Sequence, residues 1–380
     1  ADTALALAAF AGAVQRLRDT RVLAITGSNG KTSVKTLLLS ILDQIGGAYA
    51  NPGNRNNEIG LPLAVLAAPD DARFAVYEMG AGKPGDIAYL TAIARPDVSL
   101  VNNIAPAHLE RMGSLQGVAE TKGAIHDALP ADGVAVVNAD DGFAAYFVGR
   151  LHDRRVLRFG IDTDADVRAR DIRNEAEGSR FVLVSPQGDT EVLLPMPGRH
   201  NVANALAAAS MALAVGASVA QVRAGLEAVQ PVAGRLVAHA LRSGAVLVDD
   251  SYNANPGSLA AAIDTLASSG DEAWLVLGDM RELGAGEAAL HAQAGEHAKA
   301  AGIARLFTLG DLSAHATQAF CEGARAFDTH EALADAVAAG LRPGVRVLVK
   351  GSRGSAMDRI VKALLQRDAA ENGGETIDAA

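Results

Sequence analysis

Residues 26–33 read TGSNGKTS, directly after the apolar run 21–25 and just before the helical pattern of residues 34–42. A glycine-rich turn between a buried strand and a helix start points several backbone N–H groups into one concavity, where the helix dipole also favours an anion. Phosphate is the natural guest. Gly27, Ser28, Asn29 and Gly30 would cradle it, Lys31 would bring a mobile cation to the outer phosphates, and the Thr32 hydroxyl would coordinate Mg2+, with Ser33 ending the motif. The general pattern wants a glycine five positions before Gly30, where this chain has Ile25. An ordinary glycine turn with a surface lysine is the competing reading. The strand before the turn, the Gly-Lys-Thr order and the helix after it favour nucleotide binding.

Metal chemistry beside that turn would come from the ends of neighbouring strands, where ligands bind in open parallel sheets. Glu78 closes the run 74–78 and is followed by MGAG, so its carboxylate should emerge at the carboxyl edge of the sheet. Position alone leaves a solvated strand-end glutamate as an equal alternative. His108, in the stretch 102–110 (NNIAPAHLE), falls on the same edge, where a neutral imidazole would ligate metal or orient a phosphate. A lone loop histidine is more often structural or exposed. Lys122, in residues 119–124 (AETKGA), reads as a helix-surface lysine, and a plain ammonium cannot ligate a cation.

Short β-branched runs at residues 22–25, 74–78, 98–104 and 134–137 alternate with amphipathic segments, the signature of a mainly parallel sheet covered by helices. Runs 155–161, 165–173, 180–185 and 190–194, separated by turn-formers, predict antiparallel strands attached to that first domain. A helix begins near His200, and residues 230–235 (QPVAGR) break the periodicity, which marks a domain boundary. Alternation then resumes, with strands predicted at 245–249, 273–277, 305–309 and 346–349. The expected organisation is a helical remnant over 1–20, a central P-loop α/β domain over 21–232, a smaller Rossmann-like α/β domain over 233–366, and a polar, acidic, disordered tail over 367–380.

A chain of 380 residues exceeds what one hydrophobic core usually serves, and the net charge of −10 argues against nucleic acid or an anionic membrane surface as partner. The single cysteine, Cys321, excludes an intrachain disulfide and fits a reducing, cytoplasmic compartment. The most apolar stretches, 4–14 and 205–220, fall short of the run of about 20 residues that spans a bilayer and read as core helices. The chain begins at Ala1, with Asp2 rather than a basic region ahead of the first apolar stretch, which reads as a piece of a longer protein and not a signal peptide.

Taken together, the motifs resemble the Mur ligases. Residues 26–33 match that family's variant of the P-loop, and GNRNNEIG (53–60), GRHNVANA (198–205), DDSYNANP (249–256), LGDMRELG (277–284) and KGSR (350–353) follow in family order, so the similarity covers nearly the whole chain. The asparagine-rich segment 53–60 and the DSYNANP run are similar to the members that join D-alanyl-D-alanine to UDP-MurNAc-tripeptide. The resemblance implies that Glu78 bridges Mg2+ ions, with Thr32 completing one site and His108 the other. It implies that Lys122 is carbamylated by CO2, which turns a cation into a carboxylate able to ligate magnesium. Asn201 and Asn204 would face adenine, the competing reading being a helix cap. Asp250 would hold the ribose and Arg235 the terminal phosphates. Asn54, Asn56 and Asn57 would line the channel for the nucleotide-sugar peptide; without the resemblance they read as a turn. Tyr252, Asn253, Asn255 and Arg353 would bind the acceptor on a second domain that closes as a lid about Arg235.

The implied reaction is ATP-dependent amide ligation through an acyl phosphate, by a monomer, with Lys31 and magnesium offsetting the charge of the transferring phosphoryl group. Family members carry a further domain ahead of the P-loop that grips the uridine diphosphate end, and only about 20 residues precede the first strand here, so that domain is expected to lie outside this chain. Two other readings compete. One is a related amide ligase such as a folylpolyglutamate synthetase, disfavoured by the two asparagine-rich segments. The other is a non-catalytic nucleotide-binding scaffold, disfavoured because Lys31, Thr32, Glu78, His108 and Lys122 are all present.

Overall fold

The computed structural model describes residues 2–106, 109–175, 178–230 and 232–370. The chain divides into two compact units between Gln230 and Pro231. Among the described residues the first unit contributes β1 (Arg21–Thr26), β2 (Tyr49–Ala50), β3 (Phe74–Glu78), β4 (Val98–Val101), β5 (Val134–Asn138), β6 (Arg155–Gly160), β7 (Val167–Glu175), β8 (Gly178–Ser185) and β9 (Gly188–Leu194). They form one sheet in the order β2-β3-β1-β4-β5-β6-β7-β8-β9. The second contributes β10 (Val237–Ala240), β11 (Val246–Asp250), β12 (Glu272–Gly278), β13 (Arg305–Leu309), β14 (Ala324–Phe327) and β15 (Val345–Lys350), in the order β10-β11-β15-β12-β13-β14. All its neighbours are parallel except β10 and β11.

The period-2 alternation of each strand sends its residues into one of two cores. Leu23, Ile25, Phe74 and Val76 pack on one face of the first sheet, while Val22, Ala24, Ala75 and Tyr77 pack on the other. The second sheet divides likewise, with Trp274 and Val276 on one side and Ala273, Leu275 and Leu277 on the other. Burial on both faces is why these runs read as nearly continuous hydrophobic segments.

Chain order changes direction at β1: β3 lies on one side and β4 on the other, in parallel register, with Ile25 beside both Glu78 and Leu100. Such a switch point opens a crevice outside the carboxyl ends of the strands. The turn at 27–30 and the residue Glu78 therefore share one edge.

Residues 155–161 were expected to be antiparallel, yet β6 continues the parallel sheet against β5; its exposed Arg155 and Arg158 produce the polar–apolar alternation that suggested otherwise. The antiparallel part is β7-β8-β9. The stretch 205–220 is not one helix: Arg199–Ala214 ends near Gly216, whose φ of 94° stops it, and Val219–Ala228 starts afresh from a Ser218 cap. Helix Thr3–Arg16 is no core helix, since it buries Ala8, Ala11 and Gly12 and leaves Leu5 and Phe10 exposed. The last helix, Asp358–Ala370, runs into the stretch expected to be irregular, the rest of which lies outside the described residues. Strands β2, β10 and β14, of four residues or fewer, were not foreseen.

Candidate active site

The turn after β1 has the conformation its glycines permit. Gly27 has φ 150° and Gly30 φ 78°, and helix Lys31–Leu42 starts immediately after Gly30. A side chain at Gly30 would collide with the turn's own support, its Cβ falling 2.4 Å from Asn204 Oδ1 and 2.5 Å from Asn102 Nδ2. Those amides bond to each other at 2.9 Å, and Asn102 Nδ2 also donates to the Asn29 carbonyl at 3.0 Å. Asn103 holds the turn from the other side: its Oδ1 accepts from Asn29 N at 2.8 Å and its carbonyl accepts from Ser28 N at 2.9 Å. The Ser28 hydroxyl donates to the Ala105 carbonyl and accepts from Ala105 N. The Lys31 ammonium folds over the turn, donating to the Gly27 and Ser28 carbonyls at 2.7 and 3.3 Å. Ser33 is buried in the first turn of the helix.

Glu78 meets this helix across the crevice. The Thr32 hydroxyl donates to its Oε2 at 2.9 Å, Asn56 Nδ2 donates to its Oε1 at 3.1 Å, and the Lys35 ammonium lies 3.3 Å from Oε2. Asn51 clamps the Glu78 backbone, accepting from its N–H at 2.9 Å and donating to its carbonyl at 3.1 Å. A hydroxyl and a carboxylate placed together are hard oxygen donors suited to Mg2+, an ion that completes its shell with water and substrate phosphates. Among the described residues no group of three His, Cys, Asp or Glu side chains gathers into a metal site. His108 lies outside the described residues.

Lys122 is not on the helix surface: it sits in helix Leu115–Asp127 and is buried. Burial pushes its amine well below the usual lysine range, the positive charge of Lys31 adds to the effect, and Asp86 opposes it. The direction of that shift favours the uncharged amine over the ammonium. One turn on, buried His126 shares a 2.8 Å hydrogen bond with Ser99, and burial pushes its imidazole down to about 4.

The other predicted residues divide between the crevice and structural duties. Asn201 and Asn204 are buried near the start of helix Arg199–Ala214; Asn201 donates to the Pro197 carbonyl at 2.8 Å, and Asn204 supports the glycine turn through Asn102. Asn57 Oδ1 accepts from Gly60 N at the start of helix Gly60–Ala67, while the exposed Asn54 offers its carbonyl to Asn56 N. In the second unit the half-buried Asp250 pairs with the buried Lys350 at 2.5 Å, where desolvation raises the carboxyl and Lys350 counters it. Lys350 also donates to the Asn253 carbonyl at 3.0 Å. Two guanidinium groups approach the Tyr252 ring, Arg235 at 4.5 Å and Arg353 at 5.4 Å from its centre, and its hydroxyl accepts from Arg353 at 3.2 Å. Asn255 caps helix Pro256–Ala267 in a capping box with Ser258.

Sequence reasoning missed Lys35, Asn51 and the supporting roles of Asn102 and Asn103. Lys35 had a readable signal, since it stands four residues after Lys31 on the apolar face of its helix, where an unpaired charge is not tolerated.

Residues 25–212 match the family described as the Mur ligase middle domain, and residues 234–353 the Mur ligase, glutamate ligase domain. A UDP-N-acetylmuramoyl-tripeptide–D-alanyl-D-alanine ligase of Escherichia coli (strain K12) is 43% identical over 96% of this chain and 81% of its own. A crystal structure of MurF from Acinetobacter baumannii superimposes with a TM-score of 0.91 at 32% identity, over 96% of this chain and 81% of that one. MurF ligase from Thermotoga maritima in complex with ADP gives a TM-score of 0.88 at 26% identity, over 97% and 85%. Folylpolyglutamate synthase of Mycobacterium tuberculosis, at 19% identity over 95% of this chain and 93% of its own with a TM-score of 0.74, shares the fold alone.

Proposed function

The chain belongs to the Mur ligase family, and from that premise we propose that it joins D-alanyl-D-alanine to UDP-MurNAc-tripeptide with ATP, as the relatives' names describe for them. The reading places the work in the cytoplasm, where peptidoglycan precursors and ATP are available; among the described residues no helix is long and apolar enough to cross a membrane. The observation that carries it is the Thr32–Glu78 contact at 2.9 Å, beside a phosphate-cradling turn at the switch point of the sheet.

A carboxylate resists attack by an amine until one of its oxygens becomes part of a leaving group. The terminal carboxylate of the tripeptide attacks the γ-phosphorus of ATP, a P–O bond to ADP breaks, and an acyl phosphate forms. The amine of D-alanyl-D-alanine then attacks the acyl carbon, and the tetrahedral intermediate collapses to amide, inorganic phosphate and a proton. Lys31 follows the charge of the transferring group, released from the Gly27 and Ser28 carbonyls it holds here. Thr32 and Glu78 are the residues that would hold Mg2+, and bound there it would neutralise phosphate charge. Lys122, whose ammonium is disfavoured by burial, would react with CO2, losing a proton and presenting a carboxylate in place of a cation. Asn56, seated on Glu78, and Asn54 and Asn57 of the same segment would receive the acid substrate, while Asn201 and Asn204 would meet the adenine. Asp250 and Arg235 would hold ribose and phosphates, and Tyr252, Asn253, Asn255 and Arg353 the acceptor dipeptide. No nucleophilic side chain is required, so catalysis consists of positioning and electrostatics.

The test is phosphate release with each substrate omitted in turn. Release that needs ATP, UDP-MurNAc-tripeptide and D-alanyl-D-alanine together, with one amide product, supports the assignment. Release with L-glutamate as acceptor, or independent of any acceptor, would overturn it.

A further inference from the structure

Lys35 lies one helical turn beyond Lys31, and the two ammonium groups do different things. Lys31 reaches back over the glycine turn, whereas Lys35 points across the crevice, where its side chain is 8% exposed and lies 3.3 Å from Glu78 Oε2, itself 5% exposed. The same ammonium donates to the carbonyls of Asn51 and Gly53 at 3.1 and 3.3 Å. Three partners match the three donors of a lysine, so the group is fixed. Two of those partners belong to the segment 51–57, the third is the proposed metal-binding carboxylate, and the lysine itself stands on the nucleotide-binding helix.

Resting on the ligase reading, we propose that Lys35 is a positioning residue with two jobs: it is the internal counter-ion that competes with Mg2+ for Glu78, and it fixes the acid-binding segment 51–57 to the nucleotide helix. Thr32 and Asn56 each hold one oxygen of the same carboxylate. Glu78 therefore keeps its orientation when the ammonium is removed and loses only the competing charge. The backbone of Asn51 and Gly53 does lose its anchor. Charge removal thus acts in opposite directions on two ligands, tightening magnesium and loosening the acid, which general damage to the fold does not do.

The experiment compares the wild-type chain with Lys35→Met and Lys35→Arg. Binding of a fluorescent ADP analogue is titrated with Mg2+, and steady-state KM for UDP-MurNAc-tripeptide is measured separately. For Lys35→Met the expected result is a half-saturating Mg2+ concentration about tenfold lower, a KM for the acid about tenfold higher, and an unchanged KM for D-alanyl-D-alanine. Lys35→Arg, which keeps the charge, should return the Mg2+ midpoint to within about twofold of wild type. If Lys35→Met does not fold, Lys35→Gln, neutral and able to donate to both carbonyls, carries the same titration. A folded neutral variant whose Mg2+ midpoint is unchanged or higher overturns the proposal. Wild-type chain that binds the ADP analogue without any Mg2+ dependence overturns the ligase reading itself, an outcome visible before any variant is made.

Discussion

Replacing Gly30 by alanine tests whether the glycine turn is held as tightly as its neighbours imply. The residue has φ 78°, in the left-handed region, where a β-carbon costs about 1–2 kcal/mol. That carbon would fall 2.4 Å from Asn204 Oδ1 and 2.5 Å from Asn102 Nδ2, so the 2.9 Å bond between these buried amides must open, at about 1–3 kcal/mol. The combined cost is about 3 kcal/mol, which for a unit of this size lowers its melting temperature by about 6–12 °C. Because Asn102 also holds the Asn29 carbonyl, displacing it moves the turn proposed to cradle phosphate, and nucleotide affinity should fall at least about tenfold, or about 1.4 kcal/mol. Gly53→Ala is the matched control: φ is 55°, but nothing lies within 4 Å of the added carbon, so only the backbone cost of about 1–2 kcal/mol applies. Differential scanning fluorimetry and binding of a fluorescent ADP analogue give both readouts. If Gly30→Ala melts with Gly53→Ala and binds nucleotide like the wild type, the packing argument for the turn is wrong.

Acid sensitivity should trace in part to His126. Burial holds its imidazole at about 4 against an ordinary 6.5, so between those values the unfolded chain binds a proton that the folded chain refuses. Stability should rise by about 3 kcal/mol as pH increases from 4 to 6.5, and His126→Gln should flatten this part of the slope in urea titrations at several pH values. Lys350→Met leaves the half-buried Asp250 carboxylate without its bonded cation and should cost about 3 kcal/mol, most of it recovered in Lys350→Met/Asp250→Asn, as read from unfolding midpoints. Lys122→Met should bind nucleotide while losing ligation, and 13CO2 should give a carbamate NMR signal with the wild type alone; an equal signal in the variant would remove Lys122 as the site.

The parallel core was legible because strands buried on both faces leave unbroken apolar runs, as at residues 22–25 and 74–78, and the turn was legible because few residue types fit its backbone. The strand β6 was misread since the exposed Arg155 and Arg158 imitate a half-covered antiparallel strand. The break at Gly216 was lost inside an alanine-rich run whose composition is uniform across it. In the site, Glu78 followed from its place at a strand end. Its partners Lys35, Asn51 and Asn56 are brought to it by the pairing of β2 and β3 and the packing of a helix, none of which local spacing reveals. Lys122 reads as exposed because residue type alone makes a lysine in a helix a surface residue, whereas the depth of that helix is set by packing.

The measurement that bears most directly on the proposed chemistry follows one oxygen atom. UDP-MurNAc-tripeptide carrying 18O in both oxygens of its terminal carboxylate is turned over with unlabelled ATP and D-alanyl-D-alanine in unlabelled water, and the released phosphate is analysed by mass spectrometry. An acyl phosphate made beside the 27–33 turn and Glu78 predicts one 18O in each phosphate. Phosphate containing only 16O would mean that ATP is cleaved by water, and the account of carboxylate activation would fall.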